Sequence, residues 1–341
     1  MKSRYALACA ALVLLLLGAA GAAGASLREA AGSKRAPRVL FVTDLLKPAT
    51  KHDLRGVAYL GFLQAVKDFK LDGRVVQIDP YPFQAAQQKL ASFARQNYDF
   101  VYTGALAPET VEPVAVKFPK TKFLFPFPVQ YMRHKPKNVQ GVAFHDWQGS
   151  YLAGYLAALM EKRRPGRHIV SSVGGFKVDP VNRLIAGYEA GARKADPKVT
   201  TLRGFANDFT APAKCKAVAE QQIGAGSGVV FNAAGACGLG ALEAAKEKRV
   251  WGVGVDVDQS FLGRHILTSE VSNIDLSVYS ALRSLAQGKF STGGNTVWNL
   301  RNGGVGLGPT SPRVPRAVLR QVEKIRAQIV AGRITVPTAL R

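Results

Sequence analysis

Apolar positions along the chain follow two alternating rhythms. Short β-branched and aromatic runs at 39–44, 75–79, 100–104, 122–127 and 139–144 predict strands. Between them, 53–69, 83–96 and 108–118 carry apolar residues at helical spacing, and Pro108 suits the first turn of a helix. The pattern restarts at 147–163, where Leu152, Leu156 and Leu159 share one helical face. Strands follow at 168–173, 200–205, 228–234 and 251–257, with helices over 180–194, 212–223 and 239–248. The last third adds a strand at 265–271, a helix at 274–287, a strand near 296–300, a glycine turn over 303–308 and a final helix over 315–330.

Repeated strand–helix–strand units imply a parallel sheet with helices on both faces. Two such units of similar size imply two Rossmann-like lobes with a crevice between them. In open α/β sheets ligands lie outside the carboxyl ends of the strands. The residues there are Asp44, Asp79, Gly104, Phe127, Gly174, 205–209, Gly235 and Asp256. Lobes that face each other across such ends can close like a hinge on a small molecule.

The N-terminus changes the picture. Lys2 and Arg4 precede an apolar run over 6–17 and a small-residue stretch ending Ala23-Gly24-Ala25, so 1–25 reads as a cleaved signal peptide and the mature protein as periplasmic. A retained anchor is the alternative, although the run is short for a membrane span. Residues 26–37 are polar and basic and are expected to make a flexible start. The chain holds 46 basic and 23 acidic residues, a formal charge of +23. That charge attracts anionic lipid or an acidic partner and allows peripheral membrane contact. It is spread along the whole chain without a nucleic-acid motif, so it reads mainly as a solvated surface and no nucleic-acid partner is expected. Cys9 leaves with the leader. Cys215 and Cys237 fall at the same edge of the second sheet, where export permits a disulfide; two free thiols are the alternative.

Candidate chemistry is sparse. The histidines form no metal-ligand spacing, and no G-x-S-x-G follows a strand. Gly235-Ala236-Cys237-Gly238-Leu239-Gly240 joins a strand to a helix without the spacing of a dinucleotide loop or P-loop, so Gly235 and Gly238 frame a ligand or make a tight turn. Asp256 and Asp258 flank a strand end, where a carboxylate accepts hydrogen bonds from a diol or amine or caps a helix. Phe209, and further Trp147 and Tyr59, stack on a flat heterocycle or pack in the core.

The run Phe144-His145-Asp146-Trp147-Gln148-Gly149-Ser150-Tyr151-Leu152-Ala153-Gly154 resembles the "EGSYLAG" helix start of the basic membrane protein family. These are substrate-binding proteins of ABC importers for nucleosides and related purines. Gly174-Gly175, Gly187-Tyr188-Glu189-Ala190-Gly191, 231–240, 252–259, Leu267-Thr268-Ser269 and Val305-Gly306-Leu307 resemble family landmarks in family order, over about 38–337. The resemblance implies a type I periplasmic-binding fold with three crossovers. We then expect lobe I over 38–144 and 268–292, and lobe II over 145–267 and 293–341. It also implies binding without catalysis or cofactor, a purine nucleoside or nucleobase-like ligand, and an ABC permease as partner.

Asp44 and Asp256 match the family's ligand positions, and Phe209 matches its second ring. Leu54-Arg55 stand where a Phe-Asn is usual, Phe127 near a usual Asp, Ala211 for an acid and Ser272 for a Lys. That altered set favours a free nucleobase or another flat heterocycle over a standard nucleoside. Two rivals of other classes are a sensory module that signals to a receptor, and a secreted nucleoside hydrolase, which needs a metal or an acid–base pair that the spacing does not supply.

Overall fold

A computed structural model describes residues 35–44, 50–166 and 168–340. The expected leader over 1–25 and most of the basic start lie outside the described residues. Among the described residues no helix is long and apolar enough to cross a membrane.

The first sheet contains β1 (Arg38–Thr43), β2 (Asp72–Gln77), β3 (Phe100–Tyr102), β4 (Lys122–Phe125), β5 (Val139–Phe144) and β11 (Gly294–Trp298), in the order β11-β5-β4-β3-β1-β2. The second contains β6 (Ile169–Gly174), β7 (Thr200–Phe205), β8 (Val229–Ala233), β9 (Trp251–Gly254), β10 (Ile266–Ser272) and β12 (Val305–Leu307), in the order β12-β10-β9-β8-β6-β7. All pairings are parallel except β10 with β12. The helices are α1 (Leu54–Asp68), α2 (Phe83–Ala94), α3 (Pro108–Lys117), α4 (Trp147–Glu161), α5 (Asp179–Ala195), α6 (Pro212–Gly224), α7 (Gly238–Glu247), α8 (Ile274–Ala286) and α9 (Arg316–Val330).

The strand rhythm explains the layering. In β1, Val39 and Phe41 join one buried cluster while Leu40 and Val42 join the other, because successive side chains leave opposite faces. A central strand covered on both faces therefore reads as an unbroken apolar run. In lobe II the helical stripe Val318, Val322, Ile325 and Ile329 of α9 is buried against α4.

Two expectations are corrected. β10 stays in the second sheet through Ser272, and β11 pairs along β5 in the first sheet, so the expected lobe boundaries at 268 and 293 move to about 273 and 299. The glycine segment expected as a plain turn contains β12, which closes the edge of the second sheet; Gly306 and its neighbours bond to β10 as an antiparallel strand. The chain thus passes between lobes after β5, after β10 and after β11, as the three-crossover expectation holds. These passages are tied together. His145 N donates to Trp298 O at 2.8 Å, Asn273 N to Gly304 O at 2.9 Å, and Leu300 N to Gln148 Oε1 at 3.0 Å.

Cys215 and Cys237 form a disulfide with Cα atoms 5.6 Å apart and a sequence separation of 22, joining the first turn of α6 to the start of α7. Closing a loop of that length contributes about 3 kcal/mol in the chain-entropy account.

Helices α4 and α5 meet through glycines. A Cβ on Gly154 would collide with the carbonyl of Tyr188, one on Gly187 with that of Trp147, and one on Gly191 with that of Tyr151. These are backbone collisions that no side-chain rotation relieves. Gly187→Ala is expected to destabilise the fold by about 2 kcal/mol or more, despite alanine's better helix propensity. Chemical denaturation checks this, and a variant as stable as the parent would show that the helices can separate freely.

Candidate functional site

The carboxyl ends of both sheets open onto one cavity of about 570 Å³. That volume lies in the range of small-molecule sites. Lobe I contributes Asp44 after β1, Tyr102 and Gly104 at the end of β3, and Pro126 and Phe127 after β4. Lobe II contributes Trp147 at the start of α4, Arg183 of α5, Gly235 after β8, and Asp256 after β9. Of the expected residues, Asp44, Phe127, Trp147, Gly235 and Asp256 therefore line one space.

Phe209 and Gly238 do not line it. Phe209 follows β7, the outer strand of the second sheet, and its ring packs on Phe176 at 5.1 Å over Gly175. Asp79 follows β2, the outer strand of the first sheet, and is likewise outside the cavity. Carboxyl ends near the middle of each sheet meet across the crevice; those of edge strands do not. Gly238 instead makes room for the buried Asn232, whose amide would collide with a Cβ there. Tyr59 packs on Phe41 at 5.6 Å in the lobe I core. Asp258 accepts a hydrogen bond from Ser260 N at 2.9 Å and so caps a short turn.

The walls are aromatic. Phe127 is 47% exposed and leans on Phe125 at 5.4 Å. Trp147 lies against His145, with centroids 4.4 Å apart and planes at 26°, and the Arg183 guanidinium sits 5.6 Å from its ring centre. Tyr131 and Phe261 complete the lining, and the His52 ring meets Phe261 at 4.0 Å, joining the two lobes.

The charges sort into satisfied and unsatisfied sets. Arg55, one of the family departures, holds Asp44 at 2.7 Å, leaving the buried Asp44 Oδ1 without a partner. Asp53 caps α1 by accepting from Gly56 N at 3.0 Å. Arg183 pairs with Asp179 at 2.5 Å, one turn away. On the lobe II side Asp256 has a left-handed backbone, with φ of 67°. Burial pushes its carboxyl up to about 6. Asp146 accepts from Trp147 N at 2.8 Å at the head of α4, and burial, followed by the Asp256 charge, pushes it up to about 7. Both side chains keep some surface, and that surface opens into the cavity. Behind them Glu270 of β10 is fully buried, and burial together with Asp146 and Asp256 raises its carboxyl well above the usual range.

Sequence reasoning passed over Asp146, Arg183, His52, Phe261 and Glu270. The signal for Glu270 was present: a lone carboxylate in the otherwise uncharged strand Ile266–Ser272 is rarely placed inside without a purpose. Among the described residues no group of three His, Cys, Asp or Glu side chains is placed to hold a metal ion.

Two α/β lobes whose strand ends share one cavity define the architecture of solute-binding proteins. The fold matches a solute-binding protein of an ABC transporter system from Aeropyrum pernix K1 with a TM-score of 0.73 at 22% identity, over 88% of this chain and 94% of that one. The chain belongs to the family of PnrA-like ABC transporter substrate-binding proteins, whose model matches residues 55–339. It is 31% identical over 266 residues to a CD4+ T-cell-stimulating antigen of Listeria monocytogenes, covering 73% of this chain and 72% of the relative. It is 29% identical to the ABC transporter nucleoside-binding protein BmpA of Lactococcus lactis, covering 72% and 73%. Membership makes it the extracytoplasmic substrate-binding component of an ABC transporter, a class that binds and releases its ligand rather than converting it.

The buried acids have a thermodynamic consequence. An acid whose folded pKa is raised binds its proton more tightly folded than unfolded, so stability falls as pH rises from about 4 through the folded value. For Asp146 that value is about 7. Asp146→Asn is expected to melt at least about 3 °C above the parent at pH 8, with the gap closing toward pH 4. Calorimetry across that range checks it, and a pH-independent gap would contradict the assignment.

Proposed function

We propose that the protein captures a nucleoside, a nucleobase or a similar flat heterocycle in the interlobe cavity by hinge closure, and delivers it to an ABC permease. The observation that carries this reading is the pairing of ring walls from both lobes with a buried carboxylate. Phe127 lines the cavity from lobe I and Trp147 from lobe II, and Asp256 lines it just after β9. A planar ring slots between aromatic faces, and a carboxylate in low dielectric accepts hydrogen bonds from its N–H groups or from a ribose diol. The Lactococcus relative named as nucleoside-binding supports the same class. The leader read from residues 1–25 would export the chain, placing capture in the periplasm. Closure then pivots on the three hydrogen-bonded crossings, and the closed form is what a permease meets.

The departures from the family set bear on the ligand. Asp44 is already held by Arg55, so the lobe I carboxylate that matches the family position is partly spent before a ligand arrives. Recognition therefore rests more heavily on lobe II.

A thermal-shift panel of purines, pyrimidines and their nucleosides tests the proposal. At least one member is expected to raise the melting temperature, and Phe127→Ala or Asp256→Ala is expected to weaken that ligand about tenfold or more, whereas Phe209→Ala leaves it within about twofold. No shift with any member would reject the reading. Loss on Phe209→Ala alone would move the site away from this cavity.

A further inference from the structure

We propose that Asp146 and Asp256, backed by Glu270, receive a positively charged group, so that the ligand class is a cationic flat heterocycle. The inference rests on the flat-heterocycle reading above and sharpens it.

The argument is one of charge balance inside the cleft. Each arginine that lines the cavity is matched by its own acid: Arg55 by Asp44 at 2.7 Å and Arg183 by Asp179 at 2.5 Å. Asp53 is occupied as the cap of α1. Three carboxylates on the lobe II side remain, and no lysine or arginine forms an ion pair with them among the described residues. They sit together. Asp256 N donates to Glu270 Oε2 at 3.3 Å, and the other oxygen, Oε1, is buried without a hydrogen-bond partner. Gly149 in the first turn of α4 leaves space beside that oxygen, since a Cβ there would press on it at 3.0 Å. Asp146 heads the same helix.

Such a set is costly unless something compensates it. An unpaired buried acid either keeps its proton or awaits a cation. The surroundings are ready for a cation. Trp147 and Phe127 line the cavity, and aromatic rings attract positive charge, as Trp147 already does that of Arg183. A fixed metal ion is the poorer candidate, because no three such side chains are placed as metal ligands among the described residues. A delocalised heterocyclic cation spreads its charge between ring walls and carboxylates. It needs no convergent coordination.

The other groups facing the trio limit its charge without cancelling it. Arg183 of α5 lowers Asp146 slightly, but is itself bound to Asp179. His145, against Trp147, is pushed toward its neutral form by burial and by Arg183. Asp258 beyond β9 adds a further acid, turned onto Ser260 N. The α4 N-terminus contributes the partial positive charge of its free N–H groups. Burial pushes the Asp256 carboxyl up to about 6, burial and then the Asp256 charge push Asp146 up to about 7, and burial with both of those charges raises Glu270 well above the usual range, so the trio holds protons. An arriving cation displaces them.

Paired ligands that differ by a methyl group and a charge provide the test. Isothermal titration of the full mature chain compares the 1-methylnicotinamide cation with nicotinamide, and 1-methyladenosine with adenosine. The cationic member is expected to bind at least about tenfold more tightly at pH 7.5, with net proton release read from buffers of different ionisation enthalpy. For 1-methylnicotinamide, whose charge does not titrate, the preference should shrink toward pH 5 as the trio protonates. Glu270→Gln keeps the shape of the side chain and should reduce the ratio of cationic to neutral affinity and the proton release that accompanies it; should that variant fail to fold, the proton count on the parent decides. Equal or weaker binding of both cations relative to their neutral partners overturns this inference and leaves the proposed function standing. Absence of binding by these four and by the wider panel overturns both.

Discussion

The backbone-to-backbone meeting of α4 and α5 underlies the lobe II half of the cleft. Gly154, Gly187 and Gly191 each occupy a point where a side chain would strike the opposing helix's carbonyls. Closeness of this kind fixes the two helices along their length and at their ends. Trp147 and Asp146 stand at the head of α4, and Arg183 stands in the first turns of α5. Their spacing in the cavity follows from the crossing rather than from loops. Because α4 begins directly after the first passage between lobes, the same contact sets where the hinge meets the ligand wall.

Electrostatics divides the cleft along the same line. Lobe I neutralises itself: Arg55 reaches Asp44, and Asp53 is spent on its helix. Lobe II brings Asp146 and Asp256 to the cavity wall with Glu270 buried behind them, and desolvation dominates each carboxyl. The two walls of the cavity thus differ in charge: one is internally paired and the other carries unpaired acids. The disulfide between Cys215 and Cys237 stiffens lobe II beside the Gly235 turn, so its geometry is set before closure.

Much of this was legible from periodicity. Strands covered on both faces, such as β1, announce themselves as unbroken apolar runs, and helices such as α9 carry their stripe at helical spacing. Asp44, Phe127, Trp147, Gly235 and Asp256 were legible because each sits at a strand's carboxyl end or a helix start, which the βαβ rule places at the crevice. Phe209 obeyed the same rule and still fell outside, since linear order does not tell an edge strand from a central one. β12 was hidden by its glycines, which mimic a turn until β10 supplies its partner. The role of Asp146 and Glu270 depends on burial and on one another's charge, and both arise only when β9, β10 and α4 are assembled.

Strand order also constrains how the molecule can be made. β5 acquires its outer neighbour only from Gly294–Trp298, and the N-terminal lobe is covered by α8, which lies beyond residue 273. The C-terminal lobe in turn takes α9, at Arg316–Val330, onto α4. Neither half can mature as a finished unit while synthesis is under way, unlike chains whose domains fold one after another. Nearly the entire polypeptide must emerge before either core is sealed. A nascent chain of this topology has no finished core to close upon until its last strands and helices are made.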